Sequence, residues 1–170
     1  MKKYIIKGPT SSISGTVNIN GAKNSCLPLM AASILFKDKV ILKNVPLVKD
    51  VITMKNLLIS LGSKVEILKT NKMIIKNSKS HKRRVPYKLV STMRAGVLTM
   101  GSLLGRYQKK KIYVAKGGGC SLGIRDINYH LSGFESLAAE HRLEKGYVRI
   151  QSKNGLVGGS YKFPKVSVTG

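Results

Sequence analysis

The sequence predicts a mixed α/β (α+β) fold built from repeated βαβαββ-type units, and three observations lead there. By hydrophobic period, residues 23–76 read as helix, strand, helix, strand, strand, and residues 87–150 repeat that order. The segment Leu61-Gly62-Ser63-Lys64-Val65-Glu66 is echoed by Leu137-Ala138-Ala139-Glu140-His141-Arg142, 76 residues on, as expected of a duplicated supersecondary unit. The composition is that of a folded domain: 42% of 170 residues are hydrophobic, which excludes a disordered chain and allows a core.

Each element has its own signal. Residues 4–7 alternate weakly and stop at Gly8-Pro9, and residues 14–19 alternate with period two, so both read as strands. Asn20-Gly21-Ala22-Lys23-Asn24-Ser25 is a turn carrying a helix-start signal, and 27–36 is a buried apolar helix with Pro28 tolerated in its first turn. Lys23 and Asn24 then lie at or before a helix N-terminus, where they bind an anion or merely cap and solvate the helix end; capping is the commoner use. Residues 39–45 form a strand closed by Pro46. Asp50 starts a helix whose Val51, Met54, Leu57, Leu58 and Leu61 share one face, and Gly62 ends it as a C′ glycine. Residues 64–68 and 72–76 make a hairpin. In the second unit, 87–104 reads as one helix after Pro86, 111–115 as a strand and 126–137 as a helix. Residues 141–143 then pair with 147–150 around Glu144-Lys145-Gly146. A third unit begins near Pro164-Lys165-Val166-Ser167-Val168.

The net charge of +24, from 31 Lys and Arg against 7 Asp and Glu, raises the question of a nucleic-acid partner. The lysines are scattered through every segment, and the densest clusters, 79–84 and 109–111, fall between apolar stretches as solvated loops. Stacking aromatics are not interleaved with them, so no specific nucleic acid is expected. Such a field still attracts a small anion. Two cysteines, Cys26 and Cys120, make no disulfide framework and fit a reducing compartment. No signal sequence and no membrane span is read, so a cytoplasmic location and no membrane partner are expected.

The stretch Lys116-Gly117-Gly118-Gly119-Cys120-Ser121-Leu122-Gly123-Ile124-Arg125 carries the most chemistry. It lies between a strand and a helix, where glycine permits close backbone approach and N–H groups converge on an anion. Lys116 and Arg125 add charge on either side of Cys120, which favours its thiolate. The same stretch also fits a plain glycine loop with a structural cysteine. Cys26, inside an apolar helix, reads as a buried and inert thiol.

In order along the chain, Gly21-Ala22-Lys23-Asn24, Pro86-Tyr87-Lys88-Leu89-Val90-Ser91-Thr92-Met93-Arg94-Ala95, Gly118-Gly119-Cys120-Ser121-Leu122-Gly123-Ile124-Arg125 and Lys165-Val166-Ser167-Val168 resemble the UDP-N-acetylglucosamine enolpyruvyl (1-carboxyvinyl) transferases of peptidoglycan synthesis. The resemblance runs from Tyr4 to Val168 and covers the first part of such an enzyme, well under half. It implies an enolpyruvyl-transferase fold of two domains of three units each. Residues 1–21 would be strands that pack into a missing second domain. Residues 22–170 would be an incomplete first, UDP-sugar-binding domain, cut before its third unit is complete.

The implied reaction moves the enolpyruvyl group of phosphoenolpyruvate onto the 3-hydroxyl of UDP-N-acetylglucosamine and releases phosphate, with no metal or organic cofactor. By resemblance, Cys120 is the general acid and can carry a covalent adduct, and it is the residue that fosfomycin alkylates. Lys23, Asn24 and Arg125 meet phosphoenolpyruvate. Arg94, Arg125, Asp126, Ile127, Asn128, Tyr129, Lys165, Val166, Ser167 and Val168 meet the UDP-sugar. A site for so anionic a substrate needs several cations and backbone donors, which Lys23, Arg125 and the glycine loop supply.

Some positions depart from the family pattern, which usually has proline and aspartate at Asp126 and Asn128, an apolar residue at His141 and glycine at Ala138. The catalytic aspartate and a further phosphate-binding arginine of the second domain are absent, so the chain alone is expected to be inactive. Two alternatives are the sibling enolpyruvyl transferase acting on shikimate phosphate, against which Cys120 argues, and a basic nucleic-acid-binding module.

Overall fold

The computed structural model describes residues 3–8, 12, 14–115, 127–164 and 166. The apolar stripe of residues 51–61 forms as expected. Helix α2 spans Lys49–Leu61, and its Val51, Met54, Leu57, Leu58 and Leu61 are all fully buried. Its partner α1 (Lys23–Ala32) begins earlier than the sequence suggests and passes at Ser33–Leu35 into a 3-10 turn, so Pro28 lies in its second turn. Strand β1 (Val40–Leu42) lies beside the hairpin β2 (Lys64–Ile67) and β3 (Met73–Lys76) in an antiparallel sheet of order β1-β3-β2. The register pairs Val40 with Ile75 and Val65 with Ile75, which turns Met73 and Ile75 into the core.

The second unit repeats the plan. Strand β4 (Arg84–Val85) runs parallel to β5 (Ile112–Ala115), and the antiparallel hairpin β6 (Glu140–Glu144) and β7 (Tyr147–Gln151) completes the order β4-β5-β7-β6. The first strand, the inserted second hairpin strand and the first hairpin strand thus appear in the same order in both sheets. Strand β4 was read as part of a solvated basic loop. It forms because Val85 enters the core while Arg84 faces out, and because the Tyr113 N–H bonds the Arg83 carbonyl.

The predicted helix over 87–104 is three pieces: α3 (Tyr87–Val90), a 3-10 turn (Arg94–Val97) and α4 (Leu98–Arg106). The break has a local cause. The Ser91 and Thr92 hydroxyls bond back to the Lys88 and Leu89 carbonyls, Met93 turns extended at φ −143 and ψ 112, and Gly96 packs against Val90 where a side chain would crowd it. The helix predicted over 126–137 is the shorter α5 (Asn128–Glu135) within the described residues. Residues 4–7 and 14–19 form no strand. No described strand pairs with them, and Tyr4, Ile5, Ile6, Val17 and Ile19 are exposed.

One core joins the units. Helix α1 packs on both α2 and α4, with the first sheet against α2 and the second against α4. A polar seam crosses between them. Arg106, at the end of α4, donates to the Ile34, Phe36 and Ser78 carbonyls at 2.5, 2.7 and 3.2 Å, which satisfies acceptors left open at the end of the first helix. Beside it, buried His81 is held by the Tyr107 hydroxyl at 2.9 Å and by Ser63 at 3.1 Å. Burial, and then the nearby Arg106 charge, lower the His81 pKa.

Candidate active site

The first candidate residues stand where the chain turns into α1. A side chain at Gly21 would collide with the carbonyl oxygen of Asn44, so only glycine lets the segment pass there. Ala22 occupies the N-cap at φ −78 and ψ 127 and contributes no side-chain bond. Lys23 and Asn24 are the first two helical residues, both exposed, and neither caps the helix: the capping use expected from sequence is not what these side chains do. The Lys23 Nζ donates instead to Asp50 Oδ2 at 2.9 Å, bridging α1 to the first turn of α2. With 47% and 36% of the two side chains exposed, the pair contributes about 0–1 kcal/mol to stability, so its role is to aim the ammonium. An ammonium carries three N–H donors, and two remain for a ligand. Asp50 was anticipated only as a helix start; the signal for more was an acid placed where a neighbouring helix begins with a lysine.

Arg94 opens the 3-10 turn that packs against both α1 and α2, so these three elements carry Lys23, Asp50 and Arg94 on adjoining structure. Its guanidinium is exposed and bonds no described residue. Ile127, Asn128 and Tyr129 lie elsewhere, at the start of α5, which packs against β6. Ile127 packs partly into the core, Asn128 is exposed, and Tyr129 stands edge-on to Phe163 at 6.4 Å. Between α5 and the hairpin lies a depression of about 340 Å³, whose lining includes Asn128, Leu131, His141, Arg142 and Leu143. His141 is half-buried there, with its Nδ1 3.2 Å from Glu135 Oε1. Val166 is fully exposed.

Cys120, Arg125, Asp126, Lys165, Ser167 and Val168 lie outside the described residues, as does the glycine stretch around Cys120. Cys26 is buried, and burial raises its thiol pKa, in keeping with the inert role expected of it. Among the described residues, no helix is long and apolar enough to cross a membrane.

Two sheets facing a shared helical core, each built on the same strand order, define a mixed α/β class of duplicated units. The model of the EPSP synthase (3-phosphoshikimate 1-carboxyvinyltransferase) family matches residues 7–170, and the chain belongs to that family. Among solved structures, the enolpyruvyl transferase NikO from Streptomyces tendae superposes with a TM-score of 0.69 at 16% identity, covering 82% of this chain and 30% of NikO. EPSP synthase from Acinetobacter baumannii gives 0.63 at 19% identity, covering 91% and 35%. In sequence, the chain is 43% identical over 168 residues to UDP-N-acetylglucosamine 1-carboxyvinyltransferase from Pelagibacter ubique, covering 99% of this chain and 39% of the relative. It is 39% identical to the enzyme of that name from Hydrogenovibrio crunogenus, covering 100% and 40%. The chain therefore spans about two-fifths of the length of these relatives.

Proposed function

We propose that the chain is the UDP-sugar-binding part of an enzyme that transfers the enolpyruvyl group of phosphoenolpyruvate to the 3-hydroxyl of UDP-N-acetylglucosamine, as in peptidoglycan synthesis. The observation that carries the reading is the identity of about two-fifths, over nearly the whole chain, to relatives bearing that activity in their names. The geometry supports it through Lys23, whose ammonium is aimed from an uncapped helix start with donors to spare. With Asn24 and Arg125, Lys23 holds the phosphoenolpyruvate anion. Cys120 delivers the proton to the methylene carbon as the sugar hydroxyl adds to the neighbouring carbon and gives up its own proton to a carboxylate of the second domain. Phosphate then leaves as a proton is lost from that carbon, restoring the double bond. Arg94, Arg125, Asp126, Ile127, Asn128 and Tyr129, with Lys165, Val166, Ser167 and Val168, hold the nucleotide sugar. The exposed Tyr4, Ile5, Ile6, Val17 and Ile19 favour residues 1–21 packing onto a second domain, and 22–170 forming the first. That second domain supplies the remaining catalytic groups, so the 170-residue chain alone turns over no substrate.

The test is a hybrid in which this chain replaces the matching 39% of the Pelagibacter ubique relative. Phosphate release requiring both substrates and abolished by Cys120→Ser is expected, with fosfomycin adding to Cys120 and sparing Cys26 in peptide mass maps. Turnover that survives Cys120→Ser, or an adduct on Cys26, would overturn the assignment.

A further inference from the structure

The two basic clusters that are separate in sequence meet in the fold. Arg83 and Arg84 lead into β4, Lys109, Lys110 and Lys111 lead into β5, and together they line a groove of about 630 Å³ with Tyr113 and Gln151. Hydrogen bonds to two backbone carbonyls hold the walls: the Tyr113 N–H donates to the Arg83 carbonyl at 2.8 Å on one side, and the Gln151 side-chain Nε2 donates to the Lys109 carbonyl at 3.1 Å on the other. Arg84 lies over two rings of the sheet, its guanidinium carbon 4.1 Å from the Tyr147 ring centre and 5.6 Å from that of Tyr113. Among the described residues no carboxylate lines the groove, and none of the five cations forms an ion pair. The acids on the same face of the sheet are already engaged, Glu144 with Arg149 at 2.6 Å and Glu140 with Lys153 at 3.0 Å. The groove lies at the start of β5, where Lys109, Lys110 and Lys111 lead into the strand and Tyr113 faces the ligand space.

We propose that this groove binds a chain of linked phosphates, either inorganic triphosphate or the triphosphate tail of a nucleotide. Five unpaired cations within one groove call for a ligand carrying several negative charges at short spacing, which a single phosphate or carboxylate does not offer. The stacked guanidinium presents a rigid fork suited to phosphate oxygens, and the lysines act as point charges around it. An open, cationic groove of this kind binds chiefly by charge, so its affinity falls steeply as salt rises.

Isothermal titration of the full chain with sodium tripolyphosphate tests it, with orthophosphate and adenosine triphosphate as parallel ligands. Tripolyphosphate should bind at one site, well ahead of orthophosphate. The triple variant Lys109→Gln, Lys110→Gln, Lys111→Gln should weaken it by about tenfold or more, as loss of several charge-assisted contacts requires. A charge-matched control, Lys43→Gln, Lys55→Gln, Lys69→Gln, should bind as the parent does. Arg84→Lys, which keeps the charge and loses the stacked fork, should also weaken binding. Equal affinity for the two polyphosphates assigns the site to the free chain, and tighter adenosine triphosphate assigns it to a nucleotide tail. Equal loss in both triple variants would overturn the proposal, as would a single-stranded oligonucleotide that displaces tripolyphosphate at far lower concentration. None of these readouts depends on transferase activity.

Discussion

Ala138 occupies a position that its counterpart in the first unit fills with glycine, and this makes a two-way test of the duplicated fold. Gly62 ends α2 at φ 112, with its N–H on the Ile59 carbonyl at 2.9 Å and the Ser63 N–H on the Leu58 carbonyl at 3.0 Å. Seventy-six residues on, Ala138 sits at φ 63, with its N–H on the Glu135 carbonyl at 2.9 Å and the Ala139 N–H on the Phe134 carbonyl at 3.0 Å. The same left-handed cap therefore closes both helices, once with the residue that suits it and once without. Holding alanine left-handed costs roughly 1–2 kcal/mol. Glycine's greater freedom in the unfolded chain offsets about 0.4–1 kcal/mol of that. Ala138 is exposed and its methyl gives up no packing, so Ala138→Gly should stabilise the protein by about 0.5–1 kcal/mol. Gly62→Ala should destabilise it by a similar amount. A Cβ there would meet nothing closer than the Ser80 carbonyl at 3.6 Å, so backbone conformation alone sets the cost. At this chain length each kcal/mol moves Tm by about 2–4 °C. Urea unfolding should show the midpoint rising for Ala138→Gly and falling for Gly62→Ala, at constant slope. A lowered midpoint for Ala138→Gly, or no change for Gly62→Ala, would refute the reasoning.

The polar seam supplies the other predictions. Arg106→Met removes three donors from carbonyls of the first unit, two of them part-buried, and should cost about 2–4 kcal/mol by urea unfolding; a loss under about 1 kcal/mol would show that water replaces the guanidinium freely. His81 has its pKa lowered in the folded protein, so the unfolded chain takes up the proton first as pH falls. Its contribution is complete above the ordinary value of 6.5 and is lost progressively below it, down to the folded-state pKa. The fall in urea midpoint between about pH 7 and pH 5.5 should therefore shrink in His81→Gln, and an unchanged fall would remove His81 as the titrating group.

Where a single physical rule dominated, the sequence was enough to read the structure. The α2 stripe, its glycine stop, both hairpins and the duplication all rest on apolar period and turn chemistry, and each formed close to its expected bounds. Boundaries failed where local hydrogen bonds compete with the helix. Ser91 and Thr92 bond back to the preceding turn, which no hydrophobic count registers, and they split one expected helix into three pieces. Strand β4 was hidden because only Val85 in it is apolar, and its pairing with β5 is a long-range choice. The strands expected at 4–7 and 14–19 had the right alternation, but no described strand pairs with them. In the candidate site, motifs single out Lys23, Asn24 and Arg94 as candidates, whereas the Lys23–Asp50 bridge depends on how α1 lies against α2.

The start of α1 breaks several local rules at once. Its N-cap is alanine, one of the poorest capping residues, and its first helical residue is a lysine, whose charge opposes the positive end of the helix dipole. Its first turn carries no acid, and Pro28 deprives the Asn24 carbonyl of its helical donor. None of these choices favours the helix. They are held in place from outside, by the Gly21 passage against Asn44, by the buried Cys26, Leu27, Met30 and Ala31 of the opposite face, and by Asp50 across the α1–α2 contact. The alanine cap, the lysine and the missing acid each also leave an open donor or a positive charge at the same end of the helix. Natural chains tolerate such local conflicts chiefly where a ligand resolves them. A capping serine or a first-turn acid would steady α1 and close the end that an anion would occupy. Local instability and the proposed phosphoenolpyruvate site thus coincide at Lys23, on the most firmly packed pair of helices in the first unit.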